Sequence, residues 1–247
     1  MSIINGRGRV GIRRPSAALS IVTSGLKLHL DAGNVASYPG TGTVWTDLSG
    51  NGNNGTLINV GSGLSFNSAN GGYLQFDGNN DYINLPICNF PSNGARSVSI
   101  WVKNNSNSII RSLFGYGNVG AAGASNILHI NAVSGGDIYW GFNSGDFYTS
   151  GNVLNTTSWF NICCTYAGVA LNTTNVKIYV NSINQNITKA GYVVSPSTAN
   201  INYRIGSDSA GRYFNGNISN VQVYDRALSS SEVLQNYNAL KSRYGIS

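Results

Sequence analysis

One stretch near the middle of the chain reads Ser97-Val98-Ser99-Ile100-Trp101-Val102-Lys103, in which the aliphatic residues Val98, Ile100 and Val102 occupy every second position. Successive side chains of a β-strand point to opposite faces of its sheet, so a period of two predicts a strand with one buried face. The same alternation occurs at residues 26–31 and 74–77, where leucine and phenylalanine alternate with lysine, histidine, aspartate and glutamine. These stretches predict antiparallel sheets.

Further strand-like segments follow, and turns rich in glycine and asparagine separate them. They cover residues 82–85, 127–130, 138–142, 159–166, 176–180, 203–206 and 218–224. Gly78-Asn79-Asn80 is predicted to be the turn of a hairpin between residues 75–77 and 82–85, and Asn181-Ser182-Ile183-Asn184 a second hairpin turn. Many short strands with frequent turns predict a sandwich of two sheets.

One helix is predicted, at the end of the chain. Ser229, with Glu232 three residues later, forms a capping box, in which each residue's side chain bonds the other's backbone at the helix start. An apolar stripe at helical spacing follows, made by Val233, Tyr237, Leu240 and Tyr244. Gly245 then marks a stop. The helix is expected to lie against the sandwich and to cover an edge or one end of the core.

Charge is scarce and unevenly distributed. The 247 residues include 15 Lys and Arg against 9 Asp and Glu, so only 10% are charged and the net charge is +6. Asparagine and glycine, with 35 and 31 residues, supply much of the polar surface instead. Four arginines lie within the first 14 residues, and removing them leaves 11 bases against nine acids, a net charge of +2. The positive charge therefore belongs to an N-terminal arm.

We predict a basic docking arm over residues 1–24 and one sandwich domain over residues 25–247. The arm's docking side chains are Ile3, Ile4, Arg7, Arg9, Val10, Ile12, Arg13 and Arg14. This mixture suits an acidic protein groove better than a nucleic acid, and the arm folding back on its own body is a further alternative. No apolar run approaches the roughly 20 residues of a membrane span, so no membrane partner is expected. Residues 1–19 lack the apolar core of a secretory signal.

Three cysteines cannot all pair with one another. Cys163 and Cys164 are adjacent in a predicted strand and should point to opposite faces, and Cys88 is distant in sequence. Three free thiols in a protein folded in a reducing cytoplasm are expected. A transition-metal site is not expected, because no Cys-x-x-Cys spacing occurs and His29 and His129 are far apart in sequence.

Several blocks of sequence, in order along residues 25–243, resemble concanavalin A-like domains of the laminin-G type. They are residues 25–34, 37–40, 45–57, 73–83, 97–103 and 214–229. The resemblance implies an all-β fold: a concanavalin A-like sandwich of two antiparallel sheets, or jelly roll, with a C-terminal helix and an extended N-terminal arm.

The start of the chain also resembles structural proteins of tailed bacteriophages. The resemblance lies in a short Gly-Arg-Val-Gly arm followed by Leu30-Asp31-Ala32-Gly33-Asn34 and Ser37-Tyr38-Pro39-Gly40. That resemblance implies a virion protein, assembled in the host cytoplasm, that displays a lectin-like domain on the capsid or tail. Its partners would be other virion proteins in a symmetric assembly of many copies, and host-surface glycans. A stand-alone carbohydrate-binding module or a secreted bacterial adhesion domain is the alternative, and a degenerate glycosidase is the third.

Enzymatic activity is not expected. Laminarinase-type relatives carry Glu-x-Asp-x-x-Glu on one strand, because glycoside hydrolysis needs two carboxylates facing the scissile bond. This chain has a single glutamate, Glu232, in the predicted helix cap, and Asp77 and Asp81 flank a turn.

Candidate binding residues come from the lectin-like resemblance. Aromatic platforms for a sugar are Trp101, Tyr139, Trp140 and Tyr179, with packing against another layer or the helix as the alternative. The resemblance also implies a structural Ca²⁺, and oxygen ligands for it would come from Asp31, Asp47, Asn53 and Asn220. Hydrogen bonding within Asx turns is the alternative for these four residues. No cofactor is expected to be required.

Overall fold

The computed structural model describes residues 20–86, 94–117, 125–131, 135–192, 195–196 and 203–247. These residues form strands β1 (Leu26–Asp31), β2 (Val44–Trp45), β3 (Gly55–Ile58), β4 (Ser65–Asn67), β5 (Tyr73–Asp77), β6 (Tyr82–Leu85), β7 (Arg96–Asn104), β8 (Arg111–Gly117), β9 (Ser125–Ile130), β10 (Ile138–Gly141), β11 (Gly145–Thr149), β12 (Phe160–Tyr166), β13 (Val176–Val180), β14 (Ile183–Asn184), β15 (Ile187–Gly191), β16 (Tyr203–Ile205) and β17 (Asn215–Tyr224). Helix α1 (Ser230–Leu240) follows them, and short 3₁₀ turns occupy Ala69–Gly71 and Lys241–Tyr244.

The strands form two antiparallel sheets, as the alternation predicts. Sheet A has the order β14-β13-β12-β7-β17-β5-β4, with β1 also paired to β17. Sheet B has the order β15-β11-β10-β9-β8-β16-β6-β3-β2. Strand β17 is long enough to pair with β5 through its first half and with β1 through its second half. The all-β, two-sheet sandwich is therefore confirmed.

One continuous apolar core lies between the sheets. Val98, Ile100 and Val102 of β7 point into it and are almost completely buried, as are Phe114 and Leu128 from sheet B. The residues that alternate with them point outward, so the period of two in the sequence corresponds to the inner and outer faces of each sheet.

Helix α1 packs against the outer face of sheet A. Ser229 and Glu232 form the predicted capping box, and Gly245 ends the C-terminal segment with φ at 72°. Tyr237 and Tyr244 stack on Trp101 of β7, with ring centroids 5.6 Å and 4.1 Å from its ring. This packing closes the outer face of sheet A, and the outer face of sheet B has no such helix among the described residues.

Residues 20–24 also pack on sheet A and α1. The backbone N–H of Val22 donates to Asn236 Oδ1 at 2.7 Å, and the Tyr224 hydroxyl donates to the Val22 carbonyl at 3.0 Å. Gln235 Nε2 also donates to the Ser20 carbonyl at 2.9 Å, so residues 20–24 of the predicted arm contact the sandwich body. The predicted docking side chains lie outside the described residues: Ile3, Ile4, Arg7, Arg9, Val10, Ile12, Arg13 and Arg14.

The two predicted turns have different outcomes. Asn181 and Ser182 form a two-residue hairpin turn with positive φ at both positions, between β13 and β14. Gly78-Asn79-Asn80 is a turn, but the predicted hairpin is wrong, because β5 belongs to sheet A and β6 to sheet B. The buried Asp81 carboxylate accepts from the Asp77 backbone N–H at 2.9 Å and so stabilises this crossing between sheets.

Two of the three cysteines are within the described residues. Cys163 packs on the outer side of sheet A and Cys164 in the core between the sheets, so their predicted opposite orientation is confirmed. Both are free and buried, and burial raises the pKa of the Cys163 thiol to about 12. Cys88 lies outside the described residues. Within the described part of the chain, no helix is both long and apolar enough to cross a membrane.

Candidate functional site

An open pocket of about 350 Å³ lies on the outer face of sheet B. Its walls come from β9, β10 and β11 and from the loop between β16 and β17. The polar and aromatic side chains that line it are Ser125, His129, Tyr139, Asn143, Asp146 and Arg212. A second pocket, of about 260 Å³, lies at residues 32–39 and 66–72, and no charged side chain lines it.

Strand alternation brings the pocket residues to one face. In β9, Leu128 and Ile130 point into the core, so Ser125 and His129 face outward. His129 pairs in register with Tyr139 of β10, which in turn pairs with Tyr148 of β11. The three neighbouring strands therefore present a continuous row of ring-bearing side chains.

The hairpin turn between β10 and β11 holds Asp146 in place. Asn143 and Ser144 both have positive φ, 52° and 86°, which is the geometry of a tight turn that matches the twist of the sheet. The Asp146 carboxylate accepts from the backbone N–H of Phe142 at 2.8 Å and from that of Ser144 at 3.3 Å. Asp146 is thus a fixed, half-exposed negative charge at the pocket edge.

A glycine makes room for the Tyr139 ring. A Cβ atom on Gly141 would lie 2.6 Å from Tyr139 Cε1 and 3.1 Å from Asp146 Oδ1. The ring of Tyr139 lies nearly parallel to that of His129, with centroids 5.8 Å apart and an interplanar angle of 18°. The absence of a side chain at Gly141 therefore allows Tyr139 to lie along the pocket surface, half-exposed.

The loop between β16 and β17 brings a carboxylate against His129. Asp208 is packed over Gly115 of β8, where an added Cβ would lie 3.2 Å from Asp208 Cβ. One Asp208 oxygen lies 2.8 Å from His129 Nε2 and accepts from Arg212 Nε at 2.6 Å. The other accepts from the backbone N–H groups of Ala210 and Arg212 at 2.9 Å and 3.3 Å. Asp208 therefore joins the loop to the sheet.

Burial and hydrogen bonding set the charges of this cluster. Burial by itself raises the pKa of Asp208, but the bonds from His129 and Arg212 outweigh it and lower the pKa to about 2. Burial lowers the pKa of His129 and outweighs the attraction of Asp208. At neutral pH the carboxylate is ionised and the imidazole neutral, so Nε2–H donates to Asp208 and Nδ1 is left as an acceptor.

Two buried polar atoms beneath the pocket have no hydrogen-bond partner in the part of the chain that the structure describes. They are His129 Nδ1 and Ser125 Oγ. Buried polar groups are nearly always satisfied, and those that are not mark the position of a water or a ligand. A hydroxyl group or a water that reached the floor of the pocket would supply the missing bonds.

Of the four aromatic residues suggested as sugar platforms, one lines the pocket and three are buried. Tyr139 lines the pocket. Trp101 is covered by Tyr237 and Tyr244, Trp140 lies in the core between the sheets, and Tyr179 packs in a cluster with Val22 and Leu228. The expectation that Trp101, Trp140 and Tyr179 form sugar platforms is thus corrected: each is buried by another layer.

The four residues suggested for Ca²⁺ make hydrogen bonds and an ion pair within the protein. Asp31 is paired with Arg243, with Oδ1 and Oδ2 2.6 Å and 3.0 Å from its nitrogens. Asp47 accepts from the backbone N–H groups of His29, Ser49 and Asn53. The side-chain nitrogen of Asn53 donates to the Lys27 carbonyl, and that of Asn220 lies 3.2 Å from His29 Nε2. Donors from the protein thus reach both carboxylates, and the bond from the Ser49 N–H to Asp47 is that of the Asx turn expected as the alternative; the calcium site stays a prediction.

Sequence reasoning missed His129, Asp146, Asp208 and Arg212. The outward phase of His129 and Ser125 was readable from their alternation with Leu128 and Ile130. Nothing in the sequence indicated that Asp208 and Arg212, some 80 residues further on, would lie over that strand.

A family model of the concanavalin A-like lectin/glucanases superfamily, Laminin_G_3, matches residues 77–234. The match includes β6 to β17 and every residue that lines the larger pocket. No curated protein sequence matches the chain.

Solved structures resemble the chain at the level of fold. Domain 4 of AbnA, a GH43 extracellular arabinanase from Geobacillus stearothermophilus in complex with arabinotriose, has a TM-score of 0.64 at 20% identity, over 86% of this chain and 98% of that one. The binding domain of Paraclostridial Mosquitocidal Protein 1 has a TM-score of 0.64 at 15% identity, over 91% and 56%. The botulinum neurotoxin serotype D binding domain has a TM-score of 0.62 at 14% identity, over 87% and 52%. The chain therefore spans nearly all of the first structure and about half of the other two.

Proposed function

Since the chain belongs to the concanavalin A-like lectin/glucanases superfamily, we propose that it is a non-enzymatic carbohydrate-binding domain whose site is the pocket on the outer face of sheet B. A fold of this kind supports several functions, so the proposal depends on the pocket itself.

The half-buried ring of Tyr139, which lines the pocket together with Asp146 and Arg212, is the observation that carries the proposal. A sugar ring has an apolar face of C–H groups and a rim of hydroxyls. The aromatic ring suits the face, and the charged groups suit the rim. The Asp146 carboxylate would accept hydrogen bonds from sugar hydroxyl groups. The Nε of Arg212 is bound to Asp208, so its two terminal nitrogens would donate to the sugar hydroxyls.

The charges in the pocket favour binding over hydrolysis. A glycosidase needs a carboxylic acid whose pKa is raised, so that it can protonate the leaving group. Asp208 has the opposite property, because hydrogen bonds from His129 and Arg212 outweigh its burial and hold its pKa at about 2. It is also saturated by four protein donors, so it is suited to positioning His129 and Arg212.

The structural neighbours support a short oligosaccharide as the ligand. The arabinanase domain was solved with arabinotriose bound, and the chain spans 98% of that domain. A pocket of about 350 Å³ is at the lower end of the size of small-molecule sites. Tyr192, which is 81% exposed next to the β15 edge strand, would extend the site beyond one sugar ring.

Screening the full chain on an array of neutral oligosaccharides, followed by titration calorimetry of the best ligand, tests the proposal. Tyr139→Ala should weaken binding by about ten-fold or more, because it removes the ring on which the sugar stacks. Tyr213→Ala is the matched control: Tyr213 is half-exposed on the same sheet face but packs with Tyr82, 6.4 Å away, outside the pocket. Equal affinities of the two variants would contradict the placement of the site. Release of reducing sugar from the bound ligand would contradict the non-enzymatic part.

We further propose that the basic N-terminal arm anchors this domain to a larger particle, a virion of a tailed phage, where many copies would add avidity for host-surface glycans. The concentration of four arginines in the first 14 residues, next to a body of net charge +2, favours this role. Because Ser20 and Val22 pack on the body, the informative deletion is residues 2–19. The shortened chain should fold and bind glycan normally but fail to enter particles purified from infected cells. Incorporation at the wild-type level would refute the anchor.

A further inference from the structure

The charges around the pocket do not cancel. Asp208 and Arg212 form a close pair at 2.6 Å and neutralise each other, and His129 is neutral. Asp146 has no cationic partner within 4.0 Å among the described residues, and its carboxylate accepts from the backbone N–H groups of Phe142 and Ser144 and from the Tyr139 hydroxyl. One negative charge is therefore left in a pocket that also offers a ring face.

We propose that the pocket discriminates glycans by charge: sugars with a protonated amine bind more tightly than neutral ones, and sugars with a carboxylate or sulfate are excluded. The inference rests on the proposed function, since it names the class of sugar that the same site would take.

The neighbouring cations do not compensate Asp146. Arg204 lies on the far side of the loop, where its guanidinium is 4.8 Å from the centroid of the Tyr82 ring and donates to the Asp208 carbonyl at 3.0 Å. Lys189 of β15 pairs in register with Phe147 of β11, which is a core residue. Lys189 therefore lies on the inner face of sheet B, whereas Asp146 lies on the outer face. Asp146, on β11, lines the pocket, and neither Arg204 nor Lys189 is among the residues that line it.

An ammonium group would find two favourable contacts at the same place. The Asp146 carboxylate offers a charge-assisted hydrogen bond, and the adjacent face of Tyr139 attracts a cation through its ring quadrupole. A carboxylate brought to this position would be repelled by Asp146, and Arg212 could bind it only in competition with Asp208. Both effects act in the same direction, so the order of affinity follows from a single residue.

The test uses three tetrasaccharides of different charge: the glucosamine tetramer, its neutral N-acetylated counterpart, and tetragalacturonate. Titration at pH 6.5 and low ionic strength should give an affinity for the glucosamine tetramer about five-fold above that for the neutral one, with no measurable binding of tetragalacturonate. The difference should shrink as salt is raised to about 0.5 M, since exposed charges are then screened. Asp146→Asn should abolish the preference, so that the glucosamine tetramer and the neutral tetramer bind this variant with equal affinity. Asp225→Asn, which removes the same charge from the distant pair with Lys27, should leave the preference unchanged.

The outcomes separate the two proposals. Binding of tetragalacturonate with an affinity equal to or above that of the neutral sugar would overturn the charge selection and leave the carbohydrate site standing. A preference that survives in Asp146→Asn would assign it to another group and overturn the inference. Failure of all three sugars and of the whole neutral array to bind would overturn both.

Discussion

Truncating Trp101 to alanine is expected to lower the free energy of unfolding by about 3–5 kcal/mol, the usual loss for a large aromatic side chain removed from a packed layer. Trp101 is 1% exposed, and its side chain lies between the outer face of sheet A and the C-terminal segment. Its ring stacks on Tyr244 at 4.1 Å and on Tyr237 at 5.6 Å, so its removal opens a cavity beneath α1. Urea denaturation followed by circular dichroism measures the loss.

The matched variant is Trp101→Phe, which keeps an aromatic ring under Tyr244. It should lose about half as much stability as the alanine variant, because most of the stacking area is retained. Affinity for the array ligand should stay at the wild-type value in whichever of the two variants folds, since Trp101 is in sheet A and the pocket is in sheet B. An alanine variant as stable as wild type, but without glycan binding, would restore Trp101 as a sugar platform.

Replacing Asp208 with alanine is expected to destabilise the fold by about 3 kcal/mol and to abolish glycan binding. The carboxylate accepts from four donors, namely His129 Nε2, Arg212 Nε and the backbone N–H groups of Ala210 and Arg212. Removing it leaves these donors without partners, which costs more than the net value of the bonds themselves. Arg212 and His129 also lose their orientation, so the pocket loses its donor side.

The pH dependence of this loss has a defined sign. The pKa of Asp208 is about 2 in the folded protein and 3.8 for an ordinary aspartate, so the folded state favours the ionised form. The contribution of the Asp208 carboxylate to the free energy of unfolding is therefore fully present above about pH 4 and is lost as the pH falls from about 4 towards about 2. Denaturation curves of wild type and Asp208→Ala should therefore differ at pH 7 and converge near pH 2.

Asp225→Ala serves as the control for Asp208→Ala. Asp225 pairs with Lys27 at 2.9 Å, but both side chains are about one-third exposed, and surface pairs of this kind contribute about 0–1 kcal/mol. The same small loss in Asp208→Ala, with no convergence at low pH, would show that Asp208 does not hold the loop.

The hairpin predicted at Gly78-Asn79-Asn80 shows where local sequence signals reach their limit. Glycine and asparagine allow a tight turn, and a turn is present. Turn composition does not state which sheet the next strand joins, and β6 joins sheet B because its partners are β3 and β16. β3 ends at Ile58, before the turn, and β16 begins only at Tyr203, so no short window of sequence around residues 78–80 contains the deciding contacts.

Trp101 and Tyr139 show the same limit at the level of the site. Each lies on the outward phase of its strand, and the period of two treats them alike. The difference arises because α1 packs on sheet A and covers Trp101. On sheet B the loop with Asp208 and Arg212 is what reaches over the outer face within the described ranges, and it leaves Tyr139 half-buried.

The sequence by itself determined the two-sheet architecture, the inward and outward faces of its strands, the capping box of α1 and the concentration of positive charge in the first 14 residues. These are properties of neighbouring residues, since strand alternation, helix capping and turn chemistry act over a few positions. Only the tertiary structure decided which outward face stays open and which charges meet there. Ser125, Tyr139, Asp146 and Asp208 come together because sheet pairing and loop packing join segments that are distant along the chain, and the chemistry of the pocket exists only after that packing has formed.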